Sequence, residues 1–377
     1  MKNIGVVSYN IHCNFTNYGS ALQSWALKEA INKLGYHAKL IDYCPETLKD
    51  KDPLNPFKNM WDKDEESRRM CELSLPAIKE NYYKFEDFYT NKFDRTKKVY
   101  TKDNFNDVVK DEDISGFVCG SDTIFCVDEF GIDDGYYANY DCMKNGYTVS
   151  YAASFGDSHF TPETYKILDE RLQNFKAFGI REYGMIPYIK DKVSVPVEKV
   201  LDPTLLLEKD DYSSIVDDSK MEEKYLLLYS RRYNKKMFDY AEEIAKEKNL
   251  KIVDISLRAE NKDIHTMAYD AGVEEFLALV KNAEFVVTNS YHGMIFCLQF
   301  EKEFVVFSRE QCDTKIVELL DLIGLTDRLL ITGEEEFKKD IDYAKVWSII
   351  KETKNKSLEF LKMELEIIDK EGGNYEQ

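Results

Sequence analysis

The run Val286-Val287-Thr288-Asn289-Ser290-Tyr291-His292-Gly293-Met294 sets a single imidazole where an apolar strand gives way to a helix. Such a turn aims free backbone N–H groups, and the side chains beside them, into whatever cleft the sheet faces. The positive end of the helix favours the neutral imidazole, which suits His292 to general acid–base work or to hydrogen bonding an anion. The same run also fits a plain capping turn, in which Asn289 or Ser290 satisfies the helix and His292 only packs. Phe178-Gly179-Ile180-Arg181-Glu182 ends another strand-like run in a guanidinium, which can present its fork to a phosphate or carboxylate or else pair with Glu182 at the surface. Thr314-Lys315 puts a cation at the start of a helical stretch through Leu320, a placement that by spacing alone reads as solvated. Asn17-Tyr18-Gly19-Ser20 and Gly120-Ser121-Asp122 each follow a strand. Glycine there lets a backbone approach a ligand, and the hydroxyl, amide and carboxylate groups can bind a sugar or phosphate; each is equally a tight turn, with Gly19-Ser20 an N-cap.

These groups need elements that bring loop ends together. The chain opens with a strand over Ile4 to Tyr9, a loop through Gly19 and a helix over about Ala21 to Leu34, where Leu22, Trp25, Ala26, Glu29, Ala30 and Lys33 keep helical spacing. Gly35 stops that helix before a strand over Ala38 to Tyr43, and the βαβ pattern implies a parallel sheet. Residues 45–66 read as a polar surface insertion before a helix over 66–93, and strands recur at Gly116 to Cys119, Thr148 to Ala152 and Ala177 to Arg181. The second half repeats the alternation: strands at 225–229, 251–255, 285–288 and 304–307, with helices near 235–248, near 273–282 and from His292. The fold class is α/β with two Rossmann-like domains of parallel sheet facing across a cleft. The expected division is 1–207, a linker over 208–223, 224–345, and a C-terminal helix over 346–377 that crosses back to brace the first domain.

With 377 residues and 44% hydrophobic composition the chain is long enough for two globular cores. Its net charge of -19 repels nucleic acid and anionic headgroups, so no nucleic-acid partner is expected, and a site for a small anion must reverse the field with a few placed cations. The 8 cysteines, at 13, 44, 71, 119, 126, 142, 297 and 312, form no metal-ligand spacing and read as reduced cytosolic thiols. No metal is demanded. The start of the chain has no signal-peptide pattern, and no run is long and apolar enough to span a bilayer, so a cytoplasmic location is expected, with peripheral membrane contact allowed and the oligomeric state open. There is no GxGxxG after the first strand and no Walker, HExxH or GxSxG sequence, which removes the usual support for dinucleotide, P-loop, zinc-protease and hydrolase readings.

Taken in order, the clusters resemble the polysaccharide pyruvyl transferase family over nearly the whole chain. The resemblance runs through Asn17-Tyr18-Gly19, Leu22-Gln23, Gly35-Tyr36, Ile41-Asp42-Tyr43, Gly120-Ser121-Asp122, Ser150 to Gly156, Arg181-Glu182 and Leu201-Asp202-Pro203-Thr204-Leu205. It continues through Asn289 to Gly293, Lys315, Gly324-Leu325 and Asp327-Arg328. It departs at Thr123 to Cys126 and at Asn14 to Thr16. The resemblance implies a GT-B-like pair of domains and transfer of the enolpyruvyl portion of phosphoenolpyruvate, a co-substrate, to a sugar or lipid-linked glycan as a cyclic ketal, with no cofactor. It implies catalytic or donor-binding roles for His292, Arg181 and Lys315, with Asn17, Gly120, Ser121, Asp122 and Ser154 on the acceptor wall. Tyr18, Gly19, Asn289, Ser290, Tyr291 and Gly293 complete the expected substrate-binding set. Two other readings stand beside it: a nucleotide-sugar glycosyltransferase, whose acidic clamp Glu301, Glu303 and Glu310 could supply, and a catalytically silent glycan-binding member.

Overall fold

The computed structural model describes residues 3–9, 11–55, 57, 65–217, 223–256, 258–309, 313–337 and 340–372. Its first half carries β1 (Asn3–Val7), α1 (Tyr18–Lys33), β2 (His37–Leu40), α2 (Glu65–Lys92), α3 (Val108–Glu112), β3 (Ile114–Cys119), α4 (Val127–Phe130), α5 (Asp141–Asn145), β4 (Thr148–Ala153), α6 (Pro162–Leu172), β5 (Ala177–Ile180), α7 (Ile186–Lys192), β6 (Val197–Lys199) and α8 (Lys209–Ser213). The second half carries β7 (Tyr225–Tyr229), α9 (Lys235–Lys248), β8 (Lys251–Ile255), β9 (Thr266–Met267), α10 (Val273–Asn282), β10 (Phe285–Thr288), α11 (Tyr291–Gln299), β11 (Phe304–Phe307), α12 (Thr314–Ile323), β12 (Leu329–Leu330) and α13 (Tyr343–Glu371).

The strands form two parallel six-stranded sheets, ordered β2-β1-β3-β4-β5-β6 and β12-β11-β10-β7-β8-β9. Strands β3, β4, β7 and β10 are buried along their whole length, as expected where helices cover both faces of a parallel sheet. In each sheet the chain starts in the interior and then builds outward both ways, so the loops that leave in opposite directions open a crevice at the carboxyl ends of the strands. In the first sheet that point lies between β1 and β3, and in the second between β7 and β10. The loops after those strands carry Asn17, Gly120, Arg231 and His292.

One apolar cluster runs through both halves, holding Val6 and Val118 of the first sheet and Leu227 and Val286 of the second. Helix α1 lies within it: Trp25 meets Tyr212 at 5.5 Å between ring centroids, and Tyr212 meets Phe296 at 5.1 Å. Helix α13, 29 residues and so about 43 Å long, starts against the second half and ends on the first. Its Phe360 and Ile368 fill the space beside Gly179 and Gly116, where an added Cβ would lie 2.9 Å and 2.7 Å from them, and Tyr147 donates to Glu364 at 3.0 Å.

Local chemistry moved several expected boundaries. Helix α1 begins at Tyr18 because the Asn17 side chain, in extended backbone, accepts from Gly19 N and Ser20 N; the cap is Asn17, where Gly19-Ser20 had been expected. Strand β2 ends at Leu40 because the backbone beyond it bonds the 94–100 segment, with Tyr100 N on Asp42 O at 2.7 Å and Cys44 N on Tyr100 O at 2.9 Å. The stretch read as a linker holds helix α8, whose Tyr212 is buried between Trp25 and Phe296, so 208–217 is packed chain. Residues 218–222 of that stretch, with Glu310 and Cys312, lie outside the described residues. The described cysteines are free thiols.

Candidate active site

Strand β10 delivers its last residue, Thr288, to the cleft, where the Thr288 hydroxyl donates to Tyr229 O at 2.8 Å and accepts from Ser290 N at 3.0 Å. Ser290 caps α11 by accepting from Gly293 N at 3.1 Å, and Gly293 fits because a Cβ there would sit 2.7 Å from the Thr288 hydroxyl. Asn289 is fully buried and spans the neighbouring loop, accepting from Arg231 N at 2.8 Å and donating to Arg232 O at 2.7 Å. The turn therefore does what a capping turn does and also holds His292 at the helix start.

Asp202 is the junction of the site. It is fully buried, and each of its oxygens is engaged. Oδ1 accepts from Thr204 N at 3.0 Å and from the Thr204 hydroxyl at 2.6 Å. Oδ2 accepts from Arg181 Nη1 at 2.7 Å and lies 3.3 Å from His292 Nε2. Burial alone would raise the Asp202 pKa, but His292, Arg181 and the Thr204 hydroxyl outweigh it and hold the carboxyl well below its usual range.

Arg181 is buried and donates through Nε to Glu182 Oε1 at 3.0 Å, an oxygen that also accepts from the Ser154 hydroxyl at 2.5 Å. The expected surface pair with Glu182 thus exists but is internal. The guanidinium does not offer a free fork: Nε and Nη1 are committed, and Nη2 alone has no hydrogen-bond partner among the described residues. The Tyr291 ring meets two cations, with Arg181 Cζ 5.0 Å and Lys315 Nζ 5.4 Å from its centroid. Lys315, expected from spacing to be solvated, is half-buried at the start of α12, and burial together with Arg181 lowers its pKa.

The first half closes the other side. Gly19 lies directly against the imidazole: a Cβ there would be 2.1 Å from His292 Nδ1. Gly120, at φ +150, passes so close to β4 that a Cβ would meet Tyr151 O at 1.9 Å. Asp122 accepts from the Ser20 hydroxyl at 2.6 Å and from Thr123 N at 2.9 Å. Its burial opposes ionisation, yet its pKa is lowered because His292, Lys315 and Arg181 all face it.

The structure thus brings His292, Arg181, Lys315, Tyr291, Gly19, Asp122 and Ser154 close to one another. The other residues expected to touch substrate also have contacts within the frame. Tyr18 donates to Ala271 O at 2.7 Å and stacks on Phe276 at 4.4 Å. Ser121 is buried, with its N–H on Gln23 Oε1 at 3.0 Å and its hydroxyl accepting from Asp122 N at 2.6 Å. Asn17, Ser290, Asn289 and Gly293 shape the two helix starts. Asp202, Glu182 and Arg231 were not assigned roles from sequence. The first two lie in segments that carried the family resemblance, and Arg231, exposed with Nη1 on Thr16 O at 3.3 Å, sits where a strand ends in polar residues. No cluster among the described residues is arranged to hold a metal ion.

Facing parallel sheets with a cation-lined cleft between their switch points define a two-domain α/β enzyme of the GT-B kind. A family model for polysaccharide pyruvyl transferase matches residues 17–311, and the chain belongs to that family of transferases. No curated protein matches the sequence. Among solved structures, a putative UDP-N-acetylglucosamine 2-epimerase from Listeria monocytogenes is similar at 11% identity and a TM-score of 0.52, covering 95% of this chain and 91% of its own. MnaA of S. aureus, in a co-structure with UDP, gives 14%, 0.49, 93% and 88%, and the spinosyn rhamnosyltransferase SpnG with spinosyn aglycone gives 10%, 0.40, 98% and 97%. At these identities the likeness is one of fold. No helix among the described residues is long and apolar enough to cross a membrane.

Proposed function

We propose that the chain transfers the pyruvyl portion of phosphoenolpyruvate to a sugar of a cell-surface polysaccharide or lipid-linked glycan precursor, closing a ketal across two hydroxyls. The observation that carries this reading is the Nη2 of a buried Arg181, unpartnered among the described residues, which shares the Tyr291 ring with Lys315 and is tied through Asp202 to His292. A buried N–H without an acceptor and an ammonium disfavoured by its surroundings are both relieved by a bound anion. In a protein of net charge -19 these groups form an anion receptor with an acid–base group at its edge.

The reaction asks for what these groups offer. The methylene carbon C3 gains a proton, an acceptor hydroxyl attacks C2 as it loses one, the C2–O bond to phosphate breaks, and the second hydroxyl closes the ketal. Of the two hydroxyl protons released, the balance puts one on C3 and one on the departing phosphate. Arg181 and Lys315 neutralise phosphate and carboxylate, His292 moves protons, and Asp122, held ionised, accepts a hydrogen bond from the sugar. No cofactor is needed in this scheme, since side-chain cations meet the donor's charge.

Incubation with phosphoenolpyruvate and a panel of acylated or lipid-linked sugars, read by mass, tests this; gain of one pyruvate ketal with matching phosphate release is expected. Tight calorimetric binding of uridine diphosphate without binding of phosphoenolpyruvate would instead favour a nucleotide-sugar transferase. Of the acidic clamp expected for that alternative, Glu301 pairs with Lys209 at 3.3 Å and Glu303 with Arg328 at 2.8 Å, beyond the end of α11 opposite His292, and Glu310 lies outside the described residues.

A further inference from the structure

An acid stands beside the anion receptor. Glu318 lies three residues beyond Lys315 on α12, a spacing that makes the two side chains neighbours on one helix face. Its charge bears on Tyr291, the ring that Lys315 and Arg181 share. In a chain of net charge -19 a carboxylate at that place works against binding a phosphate or carboxylate, so its use has to lie elsewhere. Its hydrogen bonds show where. The Tyr183 backbone N–H donates to both oxygens, Oε1 at 3.0 Å and Oε2 at 3.1 Å, and Oε2 also takes Lys199 at 2.5 Å. Tyr183 opens a single 3-10 turn over Tyr183–Met185, whose first N–H has no partner within the turn. Glu182 does not cap it, having turned its carboxylate to Arg181 and Ser154. The first half thus leaves an N–H open two residues after Arg181, and a helix of the second half supplies the acceptor. Four residues before Glu318, the Thr314 hydroxyl donates to Asp157 Oδ1 at 3.0 Å, in the loop after β4. Along α12, Lys315 therefore falls between two bonds that cross from the second half to the first.

We infer that Glu318 is a positioning residue, a clasp that holds the Tyr183 N–H and thereby sets Lys315 at its distance from Arg181. This deepens the pyruvyl-transfer reading and rests on it. The receptor for the donor's two anionic groups is split, with the guanidinium on the first half and the ammonium on the second, so neither half forms it alone. The clasp joins the two segments that carry those cations within a few residues of each. Its negative charge opposes the ligand, and its geometry more than offsets that opposition.

Calorimetry of the full chain with phosphoenolpyruvate separates a clasp from a nearby charge, because the two have opposite signs. Glu318→Ala is expected to weaken binding by about tenfold, the scale of a lost hydrogen bond. Were Glu318 only a charge, its removal would relieve repulsion and tighten binding. Tyr183→Pro takes away the N–H and leaves the carboxylate, at a first helical position that proline suits, and is expected to weaken binding to the same degree. It serves alone should the alanine variant not fold. Unchanged or tighter binding in either variant overturns the inference. The loss must also run through Lys315: in a Lys315→Met background Glu318→Ala is expected to bring no further loss, and losses that simply add would leave Glu318 a merely structural part and overturn the inference. The two readings fail separately. A wild-type chain that binds no phosphoenolpyruvate refutes the pyruvyl-transfer reading, and the clasp is then decided by the ligand-free crystal structure of Glu318→Ala, in which a start of α12 unmoved against residue 183 overturns it.

Discussion

His265 and His292 are equally buried, each 6% exposed, and each meets a fully buried carboxylate, Asp254 at 2.9 Å and Asp202 at 3.3 Å. Their surroundings differ in kind. Asp254 lies in β8 and His265 just ahead of β9, so that pair closes one edge of one sheet; its other neighbours are Asn261 at 3.3 Å and Glu242 at 3.8 Å. Asp202 and His292 come from opposite halves of the chain, and their shared oxygen also takes a buried guanidinium. The shorter contact belongs to the pair whose carboxylate takes no guanidinium among the described residues. What sets the second pair apart is a carboxylate shared between a buried guanidinium and an imidazole at a helix start.

The sharpest way to break this comparison is to truncate both histidines. His292→Ala should lower pyruvyl transfer by about a thousandfold, within the range of a lost general acid–base group, with the thermal midpoint within a few degrees of wild type. Undiminished phosphate release in the presence of a competent acceptor would sink the assignment. Gly19→Ala comes next. Its methyl group must push the ring off Asp202, and a misplacement of that size reduces the rate by about a hundredfold. Binding of phosphoenolpyruvate should survive, because Arg181 and Lys315 are untouched, and calorimetry separates the two effects.

Lys315→Met should weaken phosphoenolpyruvate binding by about tenfold, roughly 1.4 kcal/mol, without lowering stability. In the folded chain burial and Arg181 hold the Lys315 pKa below the ordinary lysine value of 10.5. Between the lowered value and that ordinary one the unfolded chain binds more protons, so stability rises with pH there, and below the window the folded chain carries the full penalty of the ammonium. Denaturant midpoints measured across the alkaline range should rise less steeply in the variant, and an unchanged slope would show that Lys315 is already at ease without an anion.

Much of the second half was legible in the residues. The strands at 225–229, 251–255, 285–288 and 304–307 and the helices at 235–248 and 273–282 agree with the structure, because buried parallel strands read as short apolar runs between polar stops. Helix α1 was placed three residues late because nearly every side of its first turns is buried, which blurs the amphipathic start. His292, Arg181 and Lys315 were each visible as residues, but the reason they act together was not. Asp202 stands 90 positions from His292, and only the fold makes it the common partner of His292 and Arg181. Lys315 reaches the site because α12 follows β11, the strand beside β10, a neighbour relation that spacing along the chain does not encode.

The smallest expected effect tests the other pair. His265→Ala should leave pyruvyl transfer within about twofold of wild type and reduce stability by about 1–3 kcal/mol, since among the described residues Asn261 is then the one side chain left to a carboxylate with no solvent access. If the pair is purely a matter of structure, replacing both members with leucine should recover much of that loss, because removing both charges together spares the unpaired one. A double-mutant cycle read by urea denaturation measures this, and a coupling near zero would mean that His265 and Asp254 are satisfied independently. The same double replacement at Asp202 and His292 cannot restore transfer, because the reaction needs the nitrogen that the carboxylate orients. A fall in transfer on changing His265, with phosphoenolpyruvate affinity and fold intact, would show that this pair bears on the reaction although no guanidinium joins it.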